Sequence, residues 1–311
     1  MRNGGTLRRG VRVFFYHGLV ERRVDRILER NFTLVSTFRD HLRLLRRFGI
    51  LSLGELAEEL RNGKRERGTA TVLTFDDGYA NNQIAAEMLS DAGIPWSIFV
   101  ASGAIGRGGT TWPEELSLLV LHGDATEIEA LEKSWPLADE KEREVAFRAI
   151  LVALKKLPAA QRRRILSDIR EQFPAAETQR LLERFPSLKM LSWEALLELS
   201  TARVDVCSHG VLHEIHHREQ PAEIREEELR ASKAELEARL GRRCDYFAFP
   251  NGDFDGNSAA EVEAAGFKLG FTTVHDTIRA GANPFLLPRF DPNNYGSLES
   301  FARNFFWQDG G

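Results

Sequence analysis

Two adjacent carboxylates, Asp76 and Asp77, stand at the end of an apolar run and could do chemistry together. The run, TVLTF at residues 71–75, mixes β-branched and apolar residues and predicts a buried strand. Side chains alternate between the faces of a strand, so neighbouring aspartates can serve one site only where the strand ends and the backbone turns. Gly78 permits such a turn, because glycine accepts backbone angles that residues with a Cβ avoid. One carboxylate could then hold a metal while the other moves a proton, although DDG is also the pattern of a strand-to-helix turn with an N-cap.

Half of the histidines fall in one short segment, SHGVLHEIHH, at His209, His213, His216 and His217. The segment follows another strand pattern, RVDVC at residues 203–207. His209 and His213, taken with Asp77, give two imidazoles and one carboxylate. Such a set is common in catalytic zinc sites, where three protein ligands leave a position open to water. A histidine-rich surface loop is the alternative that the segment alone leaves open.

The same segment contains a rival motif, because residues 213–217 read HEIHH and match the HExxH of zinc peptidases. In that class of enzyme the motif lies in the middle of a helix, with both histidines on one face and the glutamate as base. Here a strand pattern ends at Cys207, and Pro221 most naturally opens a new helix. Little room remains for the helix that the motif requires, so we do not expect a peptidase.

Strand and helix patterns alternate along most of the chain, which is typical of a parallel sheet or barrel. Seven strand patterns occur, with helical patterns between most of them, and these are enough for a closed or nearly closed barrel. The strand patterns are VRVFFY at 11–16, TVLTF at 71–75, SIFV at 97–100, RVDVC at 203–207, YFAF at 246–249, LGFTT at 269–273 and FLL at 285–287. The sequence therefore predicts an α/β fold.

The alternation stops between about residues 107 and 200. This stretch is charged and almost continuously helical in pattern, and we find no strand pattern in it. We interpret it as a helical insertion into a single catalytic domain that spans residues 1–311. Its charges are mixed in sign, which predicts a solvated helical face that supplies no metal ligand.

The composition is that of a soluble globular protein, with 42% hydrophobic and 28% charged residues in a chain of 311. The net charge of −4 gives no reason to expect a nucleic acid or an anionic membrane as partner. No apolar run approaches the roughly 18 residues of a membrane-spanning helix, and the basic N-terminus lacks the apolar core of a secretory signal. Two cysteines, Cys207 and Cys244, are too few for a disulfide framework. We therefore expect a cytoplasmic protein without a transmembrane segment.

Three motifs, taken in chain order, resemble those of the polysaccharide deacetylases, carbohydrate esterase family four. TFDDG at 74–78 matches the first motif of that family, SHGVLH at 208–213 is similar to the second, and FAFPNG at 247–252 is similar to the third. Other segments also fit the family, namely VFFYHG at 13–18, GIPWSIFVA at 93–101 and GFKLGFTT at 266–273. The resemblance thus spans most of the chain outside the insertion.

The chain departs from the family pattern at three places. Gly210 replaces the hydroxyl residue of the second motif, which weakens support of that loop and leaves metal ligation intact. Phe249 stands where an arginine commonly precedes the proline of the third motif, and Arg289, from a later strand, is the candidate to replace that arginine. The fifth motif, Leu-x-His, is not clearly present, so His275 is the candidate for the catalytic acid that the motif supplies.

The resemblance implies a distorted (β/α) barrel of about seven parallel strands, with its site at the carboxyl ends of the strands. One divalent metal, with zinc expected, would be bound by Asp77, His209 and His213. Asp76 would be the general base, oriented by Arg289. The backbone N–H of Asn251 would bind the oxyanion that forms from the acetamide.

Two further side chains are candidates for contact with the substrate. His17, at the mouth of the first strand, could reach the site, although it could also be an ordinary core or surface histidine. Trp112 could stack on a sugar ring, although ordinary packing is the alternative.

The function that we expect is removal of N-acetyl groups from an N-acetylated amino sugar or glycan by a metal-dependent hydrolase. One alternative is the same fold and metal acting on another amide, such as a formamide or a cyclic ureide. A second alternative is a glycan-binding protein without catalytic activity, which only the missing third-motif arginine and the unclear acid suggest. A carbohydrate is the expected partner, and the sequence does not indicate an oligomeric state.

Overall fold

A computed structural model of the protein describes residues 10–62, 69–200 and 204–306. The strands in these ranges are β1 (Gly10–Tyr16), β2 (Leu19–Val20), β3 (Thr33–Leu34), β4 (Gly49–Ile50), β5 (Thr69–Phe75), β6 (Trp96–Val100), β7 (Glu127–Ala130), β8 (Lys133–Pro136), β9 (Val204–Ser208), β10 (Tyr246–Ala248) and β11 (Leu269–Phe271). The helices are α1 (Val35–Leu45), α2 (Leu53–Asn62), α3 (Asn82–Asp91), α4 (Trp112–His122), α5 (Glu140–Lys155), α6 (Ala159–Arg170), α7 (Glu177–Arg184), α8 (Trp193–Leu199), α9 (Ala222–Leu240), α10 (Ser258–Ala264) and α11 (Leu298–Phe306).

A parallel sheet of seven strands lies at the centre of the described part of the chain. Its strands follow the spatial order β1, β5, β6, β9, β10 and β11, and β4 pairs with the beginning of β5. β1 and β5 pair over their whole length, from Gly10 opposite Thr69 to Tyr16 opposite Phe75. Both strands are largely apolar and almost entirely buried, as expected for parallel strands that are covered on both faces.

Residues 287–290 connect the two edges of this sheet. The N–H of Leu287 donates to the carbonyl of Gly270 in β11, and the N–H of Phe290 donates to the carbonyl of Val13 in β1, each at 2.8 Å. The predicted strand at 285–287 is therefore a short hydrogen-bonded bridge and not a regular strand. The sheet curls into a distorted barrel, which confirms the predicted fold class.

The stretch between about residues 107 and 200 contains α4 to α8 and one antiparallel hairpin, β7–β8. Its helices pack around a hydrophobic cluster that includes Leu119, Phe147 and Leu181 and extends to Phe32 and Tyr79 beside the sheet. The expected absence of strands here is wrong. None of the helices within residues 10–62, 69–200 and 204–306 combines the length and the hydrophobicity that a transmembrane segment needs.

The turn of this hairpin lacks the residues that usually indicate one in a sequence. Leu131 and Glu132 form the turn, with φ values of 58° and 59°. In hairpins this conformation is usually adopted by Asn-Gly or Asp-Gly. β7 does alternate, since Ile128 and Ala130 are buried while Glu127 and Glu129 are exposed. Four residues between charged helical segments were too short a pattern to be recognised as a strand.

Candidate active site

Asp76 and Asp77 stand where β5 ends and the backbone leaves the sheet. The N–H of Asp76 still donates to the carbonyl of Tyr16 at 2.8 Å, which continues the β1–β5 ladder by one residue. Asp77 has a φ of 73° and Gly78 a φ of 94°, so the chain turns sharply there. A Cβ on Gly78 would lie 2.9 Å from Cγ1 of Val100, closer than atoms pack. The turn therefore requires glycine, and it places both carboxylates in the cavity described below.

His209 and His213 come from the loop that follows β9. The Nε2 atoms of His209 and His213 lie 3.4 and 3.3 Å from Oδ1 of Asp77. One ligand atom from each of the three side chains lies within 4.8 Å of the others, and all three side chains are buried. Sequence positions more than a hundred residues apart thus meet at one point, as the predicted metal set requires.

The donor chemistry of this group fits a divalent metal. Nδ1 of His209 lies 2.8 Å from the carbonyl of Ala248, and if Nδ1–H donates there, Nε2 keeps its lone pair for a ligand position. Within the described residues, the buried Oδ1 of Asp77 has no hydrogen-bond partner. A buried anionic oxygen without a donor is costly, and a cation between it and the two imidazoles would satisfy it. Asp77, His209 and His213 could therefore hold a metal ion.

The electrostatics of the group favour the protonation states that a metal needs. Burial lowers the pKa of His209 to about 4, against the opposing charge of Asp76, so its imidazole is neutral at pH 7. Burial alone would raise the pKa of Asp77, but His213, His17 and His209 together hold that pKa below its ordinary value. A neutral imidazole and an ionised carboxylate are the forms that bind metal.

Asp76 forms an ion pair with Arg289 and is not one of the three candidate metal ligands. The two guanidinium NH groups donate to the two oxygens of Asp76, each at 2.8 Å. Nε of Arg289 donates to the carbonyl of Thr272 at 3.0 Å, and the guanidinium lies over the rings of Phe15 and Phe99. A bidentate pair of this kind fixes both the position and the rotation of a carboxylate.

A cavity of about 360 Å³ opens from these carboxylates and histidines. His17, Trp112, Asn251 and His275 all line it, so the structure brings each of these candidate residues to the same place. Arg289 lies behind Asp76, fully buried. His275 is exposed at the rim, while Asn251 has a left-handed backbone with a φ of 60°.

Trp112 supports the histidine loop. Its indole Nε1 donates to the carbonyl of His213 at 3.1 Å, and the guanidinium of Arg162 lies over its ring at 5.0 Å. The arginine covers one ring face, and the hydrogen bond fixes the ring beside a candidate metal ligand. Trp112 therefore has a structural role that does not depend on contact with a sugar.

The peptidase reading of residues 213–217 does not fit the structure. Residues 209–220 are all described and contain no helix. Glu214 is buried in a short ion pair with Arg162, and Arg163 lies 3.6 Å away on its other oxygen. A carboxylate committed in this way cannot serve as the base of a zinc peptidase.

Apart from Trp112, the residues by which the insertion reaches the cavity were not predicted from the sequence. Lys155, the last residue of α5, and Glu114 in α4 both line the cavity, and Arg30 joins them from the connection between β2 and β3. Arg30 pairs with Glu114 at 3.2 Å. These residues were missed because a charged residue of a helix has the same sequence pattern whether it lines a cavity or faces solvent.

Comparisons with known proteins agree on the family. The model of the family described as polysaccharide deacetylase matches residues 63–270, more than half of the chain. A search of curated protein sequences gives no match.

Among solved structures, the chain is similar to IcaB from Ammonifex degensii, with 19% identity and a TM-score of 0.60 over 96% of each chain. It is also similar to the deacetylase PplD of Streptococcus pyogenes, solved in complex with acetate, with 15% identity and a TM-score of 0.59 over 91% of this chain and 92% of that one. At these sequence identities the structural similarity shows only a shared fold. The assignment to a family is based on the match to the family model. The chain belongs to the polysaccharide deacetylase family.

Proposed function

We propose that the protein is a metal-dependent hydrolase that removes N-acetyl groups from an N-acetylated amino sugar or glycan. The observation that carries the proposal is the buried group of Asp77, His209 and His213 next to the Asp76–Arg289 pair. A metal site and a separately held carboxylate in one cavity are the two parts that amide hydrolysis by metal-activated water needs. Membership of the deacetylase family supports the choice of an acetamide as the group attacked.

Asp77, His209 and His213 would hold the metal, for which we propose zinc because two imidazoles and one carboxylate suit that ion. When bound, such an ion acts as a Lewis acid toward a carbonyl and lowers the pKa of water. Nδ1–H of His209 donating to the carbonyl of Ala248 keeps its ring in one orientation.

Asp76 would take the proton of the attacking water as general base. Each of its oxygens accepts one hydrogen bond from Arg289, which leaves further lone pairs to accept a proton. The pairing holds the carboxylate at a fixed place and angle, and proton transfer depends on both. Arg289 is thus proposed as the positioning residue that replaces the arginine missing from the third motif.

The remaining steps would use other residues that line the cavity. The backbone N–H of Asn251 would donate to the oxyanion as the acetamide carbon becomes tetrahedral. His275, at the rim, would give a proton to the departing amine, and His17 would contact the substrate near Asp77. The cytoplasmic location expected from the sequence stays a prediction.

The proposal is tested by acetate release from N-acetylglucosamine oligomers. Purified protein with added zinc is expected to release acetate, to lose that activity on chelation, and to regain it when metal returns. Formamides and cyclic ureides form the comparison set, since their turnover without acetate release would favour a different amide hydrolase. Stoichiometric metal without turnover of any amide would instead support a glycan-binding protein.

A further inference from the structure

Lys155 brings a positive charge from the insertion into the cavity of the candidate active site. It is the last residue of α5 and is half-buried among the cavity-lining residues. Its Nζ donates a short hydrogen bond to Oδ1 of Asn251, whose amide nitrogen in turn donates to Asp253. The insertion therefore contacts the loop that carries the proposed oxyanion donor.

The partner of this lysine is a neutral amide oxygen and not a carboxylate. Over the described ranges of the chain, Lys155 makes no ion pair within 4.0 Å, although Arg30 in the same cavity pairs with Glu114 and Arg289 beneath it pairs with Asp76. Burial lowers the pKa of Lys155 and the nearby charge of Arg30 lowers it further, and the opposing charges of Asp253, Glu114 and Asp77 offset this only in part. The protein therefore keeps a partly desolvated ammonium group beside the site at some cost in free energy.

The position of Lys155 at a helix end does not explain that cost. A cation in the last turn of α5 interacts favourably with the helix dipole, but the next residue, Lys156, is exposed and can provide the same interaction. An ammonium group has three donor hydrogens. One is used by Asn251, and the others remain for a ligand in the cavity.

We propose that Lys155 binds an anionic substituent, a carboxylate or a phosphate, on the glycan whose acetamide is hydrolysed. This inference rests on the proposed function and names the class of substrate within it. An acidic group on the sugar would pair with the ammonium group, and such charge-assisted bonds are about twice as strong as neutral ones. An acidic glycan would then be hydrolysed in preference to a neutral one of equal length.

The experiment compares three probes, a tetramer of N-acetylglucosamine and the same tetramer carrying O-carboxymethyl or O-phosphate groups. Acetate release gives kcat/KM for each probe with the wild type, K155M, K155R and K156M. The wild type is expected to favour at least one anionic probe, and which one identifies carboxylate or phosphate as the group bound. In K155M the ratio of anionic to neutral kcat/KM should fall about tenfold or more, the loss expected for one hydrogen bond between charged groups.

The other variants and salt give the matched controls. K155R keeps the charge and should retain most of the preference, while K156M, changed at the exposed neighbour, should match the wild type. The preference of the wild type should weaken at high ionic strength, because salt screens a partly exposed pair.

Two results would overturn the inference and leave the proposed function standing. One is a wild type that releases acetate from the neutral tetramer as fast as from both anionic probes. The other is a K155M variant that loses activity on all three probes in equal proportion, because the lysine would then only position Asn251. Absence of acetate release from every probe would overturn the proposed function, and this inference with it.

Discussion

Asp76 and Asp77 are adjacent in the sequence, but they have different partners and different proposed roles. Asp76 still follows the ladder of β5 and faces Arg289, whereas Asp77 has left the strand with a positive φ and faces the two histidines. Each carboxylate therefore has its own partners, although the residues are adjacent. The backbone turn, and not the choice of side chain, separates the two proposed roles.

Replacing each aspartate by asparagine should separate these roles. Asp76→Asn removes the basic oxygen but no proposed ligand, so metal should stay bound while kcat falls about 10²–10⁴-fold, as for a lost general base. Asp77→Asn removes a charged ligand, so metal affinity should fall first and activity with it. Metal content per chain and acetate release, both measured over a range of zinc concentrations, check the two expectations.

Excess zinc should restore part of the activity of Asp77→Asn and none of the activity of Asp76→Asn. The opposite response would exchange the two roles. Full activity of both variants on every N-acetylated sugar would contradict the hydrolase proposal itself.

Removal of Arg289 should destabilise the fold, because Asp76 would be left buried without a counter-charge. Arg289 is fully buried and Asp76 is 3% exposed, so Arg289→Met should lower the free energy of unfolding by about 3–5 kcal/mol. Arg279→Met is the matched control, since Arg279 pairs with Asp276 at 3.0 Å on the surface and should change stability by less than about 1 kcal/mol. Urea unfolding measures both, and equal losses would contradict the importance of the buried pair.

Individual residues of the candidate site could be predicted where their spacing carries chemistry. Asp76 and Asp77 were found from an apolar run that ends in two acids, and His209 and His213 from their spacing after a strand. Arg289 was found only through the resemblance, because nothing around it in the sequence indicates a partner 213 residues away. Lys155 could not be found, since its significance depends entirely on where α5 ends.

At the level of whole elements, the insertion holds the loop that carries His213. Trp112 in α4 donates to the carbonyl of His213, Arg162 in α6 pairs with Glu214, and the N–H of Ala159 donates to Oε1 of Gln220. All three contacts are made to the loop at residues 209–220, which contains no helix or strand. The insertion thus supports the loop of a candidate metal ligand, although it supplies none of the three proposed ligands.

Trp112→Phe should therefore weaken metal binding without unfolding the protein. The change removes the indole N–H that fixes the carbonyl of His213, and supporting contacts of this kind are typically worth about 10–100-fold in metal affinity. The dissociation constant for zinc, measured by competition with a chromogenic chelator, should rise by about tenfold.

Trp135→Phe is the control for the loss of one indole hydrogen bond. Nε1 of Trp135 donates to the carbonyl of Ala130 within the β7–β8 hairpin, away from the residues that line the site. Its effect on zinc affinity should be negligible. An equal effect of the two substitutions would show that the contact at His213 does not tune the metal site.

The helices and strands of the barrel were easier to predict than those of the insertion. Parallel strands buried on both faces leave long apolar runs, which is why β1, β5 and β6 could be read almost to the residue. The short β7–β8 hairpin could not, because its two-residue turn of Leu131 and Glu132 adopts positive φ without the residues that usually announce it. Tertiary packing stabilises that turn against its local preference.

For the molecule as a whole, closure of the barrel depends on residues 287–290. The bridge at 287–290 joins β11 to β1, and the same segment carries Arg289 back to Asp76. Barrel closure and alignment of the proposed base therefore share one segment. Long-range pairing of this kind has no local pattern, so the sequence predicted an approximate barrel but not how it closes.

Two buried histidines that are not proposed metal ligands, His41 and His216, should make the whole protein sensitive to acid. Burial lowers the pKa of His41 to about 4 and that of His216 to about 3. In the unfolded chain both return to about 6.5. As pH falls below about 6.5, the two histidines become protonated in the unfolded state but stay neutral in the folded state. The free energy of unfolding therefore decreases until the pH reaches the pKa values of the folded state. Between pH 7 and pH 5 each histidine should account for a loss of about 2 kcal/mol.

His216→Leu isolates one of these groups. Both ring nitrogens of His216 are buried and have no hydrogen-bond partner among the residues that the structure describes, and the ring packs against Phe247 and Phe249. An apolar side chain should therefore be tolerated there. Between pH 5 and pH 6 the slope of unfolding free energy against pH, from urea titrations of metal-free protein, should be shallower than in the wild type by about 1.2 kcal/mol per pH unit, because the unfolded histidine takes up most of one proton there. An unchanged slope would mean that His216 takes up its proton as readily in the folded protein as in the unfolded chain, which its burial between two phenylalanine rings should prevent.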